Sequence, residues 1–215
     1  MRKHTGVLAA AAASVMALLA APSHAVLIDS SNPYNFSWSY NTGTSLLTGN
    51  GSLSITGFNS SLLSINVSLT NTSQIGGQGG ERLTSFGFGI DPNATSVGFS
   101  DANDGGMKSA SFAMGALPAN VKNVEVCAFG GPNCAGGGNG GIYAGTTDVF
   151  TILLGGTWGS SVNIDPIGVR YQTGYGSYTF KVGDPPSTSV PEPTTLTLLG
   201  AGLLALGASR RRKRA

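Results

Sequence analysis

Leu63-Ser64-Ile65-Asn66-Val67-Ser68-Leu69 alternates apolar and polar residues without a break. Successive side chains of a strand point to opposite faces, so Leu63, Ile65, Val67 and Leu69 share one face and Ser64, Asn66 and Ser68 the other. That is a sheet with one buried and one wet side. The same period recurs upstream: Tyr34, Phe36, Trp38 and Tyr40 alternate with Asn35, Ser37 and Ser39, and Leu53 and Ile55 with Ser52, Ser54 and Thr56. Further strands are expected over 83–90, 95–100, 108–113, 121–128, 147–154, 161–172 and 176–182. Thr48-Gly49-Asn50-Gly51, Gly76 to Gly80, Asp91-Pro92-Asn93, Asn103-Asp104-Gly105-Gly106 and Gly155-Gly156 read as the turns between them. No stretch outside the termini carries a 3.6-residue stripe. Short strands at this spacing predict an all-β fold, an antiparallel β-sandwich of Ig-like or cohesin-like type or a jelly roll, over residues 26–184.

The two ends have another character. Arg2 and Lys3, an apolar stretch from Val7 to Ala21 and the small-residue site Ser23-His24-Ala25 compose a secretory signal peptide over 1–25, with cleavage after Ala25. At the other end, Val190-Pro191-Glu192-Pro193 leads into an apolar run from Thr194 to Ala208 and then Arg210, Arg211, Arg212, Lys213 and Arg214. Residues 194–215 therefore read as a short transmembrane helix whose basic stop stays on the cytoplasmic side. Residues 185–193, with Pro185-Pro186 and Ser/Thr, read as a linker carrying the Pro-Glu-Pro motif.

Removing both ends inverts the charge. The whole chain has twelve Lys+Arg, ten Asp+Glu and a formal net charge of +2. Two of those cations lie in the leader and five in the tail, which leaves five against ten acids over residues 26–193. No basic stripe remains to neutralise phosphates, so nucleic acid is not an expected partner. Both histidines, His4 and His24, fall in the leader. Without them Ser-His-Asp, Cys-His and histidine-metal chemistry have no base or ligand, and the exported part is expected to be no enzyme and to need no cofactor.

Cys127 and Cys134 flank Ala128-Phe129-Gly130-Gly131-Pro132-Asn133. An even pair in an exported chain reads as a structural disulfide; the rival redox or metal pair lacks both the CxxC spacing and further ligands. The glycine-rich stretch after it, Ala135 to Ile142, has no Gly-Lys-Ser/Thr and reads as a loop rather than a phosphate cradle. Asp101, Asn103 and Asp104 supply oxygen ligands in one turn, but the closing glutamate of a calcium loop is missing, and Asp148 or Asp165 would complete a site only if the fold brought them near. No metal is therefore expected, with Asp101, Asn103 and Asp104 the weak calcium candidate. Trp38 and Trp158, with Tyr143, Tyr171, Tyr175 and Tyr178, are the candidate platform for stacking on a sugar, against the simpler reading as core.

Pro191-Glu192-Pro193, the apolar segment Leu196 to Leu206 and the cluster Arg210 to Arg214 together resemble the PEP-CTERM sorting signal of Gram-negative bacteria. The resemblance covers the C-terminal end alone. It implies recognition by an exosortase, a membrane-embedded transpeptidase-like enzyme, and association with exopolysaccharide and biofilm. Pro191, Glu192 and Pro193 would then be recognised by that partner and do no chemistry of their own. The pattern from Val124-Glu125-Val126-Cys127-Ala128 through Asn133-Cys134 and Gly140-Gly141-Ile142, with Gln172-Thr173 and Gly176-Ser177-Tyr178, resembles the cistern subgroup of such proteins, which implies no activity. The function so expected is that of a non-catalytic surface or matrix protein, anchored by its C-terminus and then placed at the cell surface or outside it. A carbohydrate-binding or adhesive module is the alternative.

Overall fold

The computed structural model describes residues 26–28, 33–74, 80–102, 105–113, 117 and 121–183. The leader, the linker, the Pro-Glu-Pro motif and the apolar, basic tail lie outside the described residues. The described part is all strand and loop. In chain order the strands are β1 (Val26–Ile28), β2 (Tyr34–Asn41), β3 (Leu46–Phe58), β4 (Leu62–Asn71), β5 (Arg82–Asp91), β6 (Ala94–Asp101), β7 (Ser109–Phe112), β8 (Val126–Phe129), β9 (Ile142–Tyr143), β10 (Thr147–Gly156), β11 (Val162–Thr173) and β12 (Gly176–Lys181).

They form two antiparallel sheets. The larger runs β1-β11-β5-β8-β7, with β12 also on β11 and β9 also on β5; the smaller runs β2-β3-β4-β10-β6. The steps β4 to β5, β5 to β6, β6 to β7, β9 to β10 and β10 to β11 each change sheet, so the two layers are wound into one another. They pack face to face over one core. Phe36 of β2 lies 5.9 Å from Phe86 of β5, ring centre to ring centre, and Trp38 of β2 donates a hydrogen bond from Nε1 to the Tyr171 hydroxyl of β11 at 2.9 Å.

The alternation in the sequence becomes the two faces of the smaller sheet. Leu63, Ile65, Val67 and Leu69 of β4 are fully buried, opposite Ile55, Leu53 and the β10 residues Phe150, Ile152 and Leu154. Burying each such side chain contributes about 1.5–3 kcal/mol, before the entropy of ordering it. Ser64, Asn66, Ser68 and Thr70 face out, and hydroxyls pair across strands, as between Thr70 and Thr147 at 2.8 Å and between Thr56 and Ser64 at 3.0 Å. The charged residues of these five strands are Asp101 and Asp148, and both lie on the inward side by register.

Thr48-Gly49-Asn50-Gly51 is not a turn. It continues β3, pairing Gly49 with Trp38 and Gly51 with Phe36. A Cβ on Gly51 would meet the Phe36 ring at 2.6 Å, and one on Gly49 would collide with the Trp38 indole. The glycines make room for aromatic rings lying across the strand, and the chain turns earlier, at Thr42–Ser45, where Thr42 N donates to Ser45 O at 2.9 Å. Gly155-Gly156 likewise belongs to the end of β10, at a bulge against β6, with the Trp158 indole packed on Gly156.

The larger sheet is covered on both sides. In β5, Phe86, Phe88 and Ile90 join the main core, yet the residues between them are buried as well. A second small core explains this: Ala113, Leu117, Cys127 and Cys134, with Val124 and Phe129, lie on the outer side. Gly87 is where the cover sits closest, since a Cβ there would stand 2.6 Å from Leu117 Cδ1 and 2.7 Å from Val124 Cγ1. The apolar residues Val121 and Val124, expected as the start of a strand, therefore belong to a cover over the sheet, and β8 begins at Val126. Cys127 and Cys134 are disulfide-bonded inside this cover, their Cα atoms 6.1 Å apart.

Candidate functional site

The residues named as candidates from the sequence disperse in three dimensions. Trp38 and Trp158 are each 5% exposed. Trp38 is held by Tyr171, whose hydroxyl also donates to Thr48 O at 3.1 Å, and burial pushes that hydroxyl's pKa up. Neither indole presents a face to solvent, so the two tryptophans make no sugar platform; they are core, as large aromatics at alternate strand positions commonly are. Tyr171 is buried with them, whereas Tyr143 and Tyr175 are 52% and 56% exposed.

Of the oxygen ligands considered for calcium, Asp101 ends β6, while Asn103 and Asp104 lie outside the described residues. Asp148 is buried at the start of β10, where its Oδ2 accepts from Met107 N at 2.7 Å. Asp165 lies at the register shift of β11, between Ile164 and Ile167, and forms an ion pair with Lys181 at 3.2 Å. Asp148 thus stands at the end of the sandwich where β5 begins and Asp165 at the end where β5 finishes, too far apart to share an ion. Among the described residues no group of three or more His, Cys, Asp or Glu could hold a metal.

The chain instead brings together a set that its sequence does not advertise. A cavity of about 290 Å³ opens where β5 finishes, lined by Gly89, Ile90, Asp91, Asn93, Asn123, Glu125, Asn163 and Asp165. Its polar lining is three carboxylates and three amides from three separate segments. Glu125 is the best anchored: Oε1 accepts from Ala94 N at 2.8 Å, and Glu125 N donates to Phe88 O at 2.9 Å. Burial raises the pKa of this carboxyl, against hydrogen bonds to the backbone of Ala94 and Ile90 that lower it. The cavity offers acceptors and amide donors for a polar group.

At the opposite end a buried polar knot ties the sheets together. Asn71 Nδ2 donates to Glu81 O at 2.8 Å and to Ile142 O at 2.9 Å, and Asn71 Oδ1 accepts from Ser73 N at 3.1 Å. A buried amide satisfied in this way specifies register, because leaving it unpaired costs about 1–3 kcal/mol.

Fold and termini define the class: an all-β domain of two packed antiparallel sheets followed by a C-terminal address. Residues 189–213 match the family model of the PEP-CTERM protein-sorting motif, a span that takes in Pro191, Glu192, Pro193 and the basic residues Arg210 to Lys213. The motif implies export and processing by an exosortase. No curated protein and no solved structure matches the chain. Among the described residues no helix is long and apolar enough to cross a membrane; the apolar run 194–208 lies outside them.

Proposed function

We propose that this protein is the cargo of that sorting signal: a non-catalytic β-sandwich delivered to the cell surface or the extracellular matrix and associated there with exopolysaccharide. The leader over 1–25 starts export, the segment 194–215 holds the chain in the membrane, and the exosortase acts at Pro191-Glu192-Pro193. The observation that carries the reading is the sorting motif matched at residues 189–213. The domain supports it. Its smaller sheet presents an uncharged outer face, mostly Ser, Thr and Asn with the exposed Val149 among them, a surface suited to hydrated polymer, and its disulfide suits an oxidising compartment. The interleaved strand order favours jelly-roll winding over an Ig-like one. The cistern-like pattern around Cys127 and Cys134 agrees with a cargo rather than an enzyme. The test is to replace Pro191, Glu192 and Pro193 with alanine in the native host and to fractionate the cells. Accumulation of unprocessed protein in the membrane fraction supports the reading; unchanged delivery to the surface refutes it.

The carbohydrate-binding alternative loses its original platform with the burial of Trp38 and Trp158. What remains for it is a different surface.

A further inference from the structure

Two rows of residues cross the outer side of the larger sheet at the end where β5 begins. Register places Ser177, Gln172, Arg82 and Tyr143 in one row and Thr179, Arg170, Ser85 and Phe129 in the next. Directly paired residues of antiparallel strands share a face, and Tyr171 and Leu83, between the rows, point into the core. Arg82 and Arg170 therefore stand near each other on adjacent strands, facing away from the core.

Neither arginine has a carboxylate partner among the described residues. Yet the Nε atom of each is buried and without a hydrogen bond. Such donors are ordinarily satisfied in a folded protein, and a half-buried cation without a counter-charge is costly. The nearest acids in the chain are engaged elsewhere: Glu81 accepts from the Ser45 hydroxyl at 2.9 Å, Asp148 from Met107 N at 2.7 Å, and Asp165 pairs with Lys181 at the far end of the sheet. Arg82 lies over the ring of exposed Tyr143 at 5.7 Å, which orients its guanidinium. Arg170 is backed by the glycine-rich loop, where a Cβ at Gly136 would approach its Nε to 2.6 Å. Burial also lowers the pKa of Arg170 from its ordinary value, the mark of a cation short of solvent. The Gln172 amide, the Ser177 hydroxyl and the ring of Tyr143 complete the surroundings: one aromatic face and neutral hydrogen-bonding groups beside two forks that each match a carboxylate.

We propose that Arg82 and Arg170 form a binding site for the carboxylates of an acidic polysaccharide, with Tyr143 stacking on a sugar ring. This inference rests on the extracellular, polysaccharide-associated reading above and names the chemistry of the polymer as a uronic acid chain.

The test is affinity electrophoresis of the full-length protein in detergent through gels containing polygalacturonate, dextran, dextran sulfate or poly-glutamate. Retardation by polygalacturonate but not by dextran is expected. The apparent affinity should fall at least tenfold in Arg82→Gln/Arg170→Gln, and severalfold in Tyr143→Ala, with thermal melting showing that both variants remain folded. Should the double variant not fold, Arg170→Lys serves in its place. It keeps the charge but loses the fork, and an unchanged affinity in it contradicts the proposal. No retardation of the wild type, retention in the double variant, or equal retention on dextran sulfate or poly-glutamate would overturn it. A correctly sorted protein that binds no uronate sinks this site alone. A uronate-binding protein whose delivery ignores the Pro-Glu-Pro motif sinks the sorting reading alone.

Discussion

The outer faces of the two sheets were built by opposite means. The smaller sheet leaves its face bare: β2, β3, β4 and β10 alternate regularly, and Ser, Thr and Asn meet solvent. The larger sheet builds over its face. Ala113, Leu117, Val124 and the disulfide cover the middle, an acid-lined cavity opens at one end, and two arginines lie at the other. A bare face needs only alternation, which is local. A covered face needs glycines under the cover and apolar residues in the loop, and these are matched only in three dimensions. The charged groups with altered energetics, Glu125 and Arg170, sit on the covered sheet because burial there penalises their ionised forms.

The comparison breaks first at Gly87. A branched side chain has no room beneath Leu117 and Val124, so Gly87→Val should destabilise by about 3 kcal/mol or lift the cover. Chemical denaturation measures the first outcome and proteolysis of the 113–125 segment the second; wild-type behaviour in both would mean that the cover is not packed as described. Next comes the disulfide. Replacing Cys127 and Cys134 with serine should cost about 2–3 kcal/mol, read as a lower melting temperature that reducing agent mimics in the wild type.

A smaller effect sharpens the contrast at the acidic end. A carboxyl whose folded pKa is raised contributes stability that is fully present below its unfolded pKa and lost as pH rises through the folded one. Wild type should therefore gain on Glu125→Gln as the pH falls from 7 towards the ordinary carboxyl range, measured by urea denaturation at stepped pH. A gap that widens on acidification in favour of the variant contradicts the burial of this group. The smallest effect belongs to the bare face. Ser52→Ala and Ser68→Ala, opposite each other on β3 and β4, should each change stability by no more than about 0.5 kcal/mol.

What could be read from the sequence follows the same division. Alternation over 34–40 and 63–69 located the strands of the bare sheet, since the period is carried by neighbouring residues. Gly49 and Gly51 misled because glycine next to asparagine is a turn signal locally; only their pairing with Trp38 and Phe36 shows that they are clearance for rings. Val121 and Val124 were apolar for the sake of a cover, which mimics a strand in one dimension. β1 and β9 are too short to show any period. The tryptophans were legible as aromatic but not as buried. The cavity and the arginine pair were illegible, because strand order rather than spacing brings their residues together. The sorting motif was legible at once: three short features in fixed order need no fold to be recognised.

The central claim is that this sandwich travels under two terminal addresses and works outside the cytoplasm. Intact mass and terminal sequencing of the protein recovered from its native cells test it most directly. The account predicts a mature chain beginning at Val26 and ending at or near Pro191–Pro193, found outside the cytoplasm. An uncut chain of all 215 residues in the cytosol would contradict it.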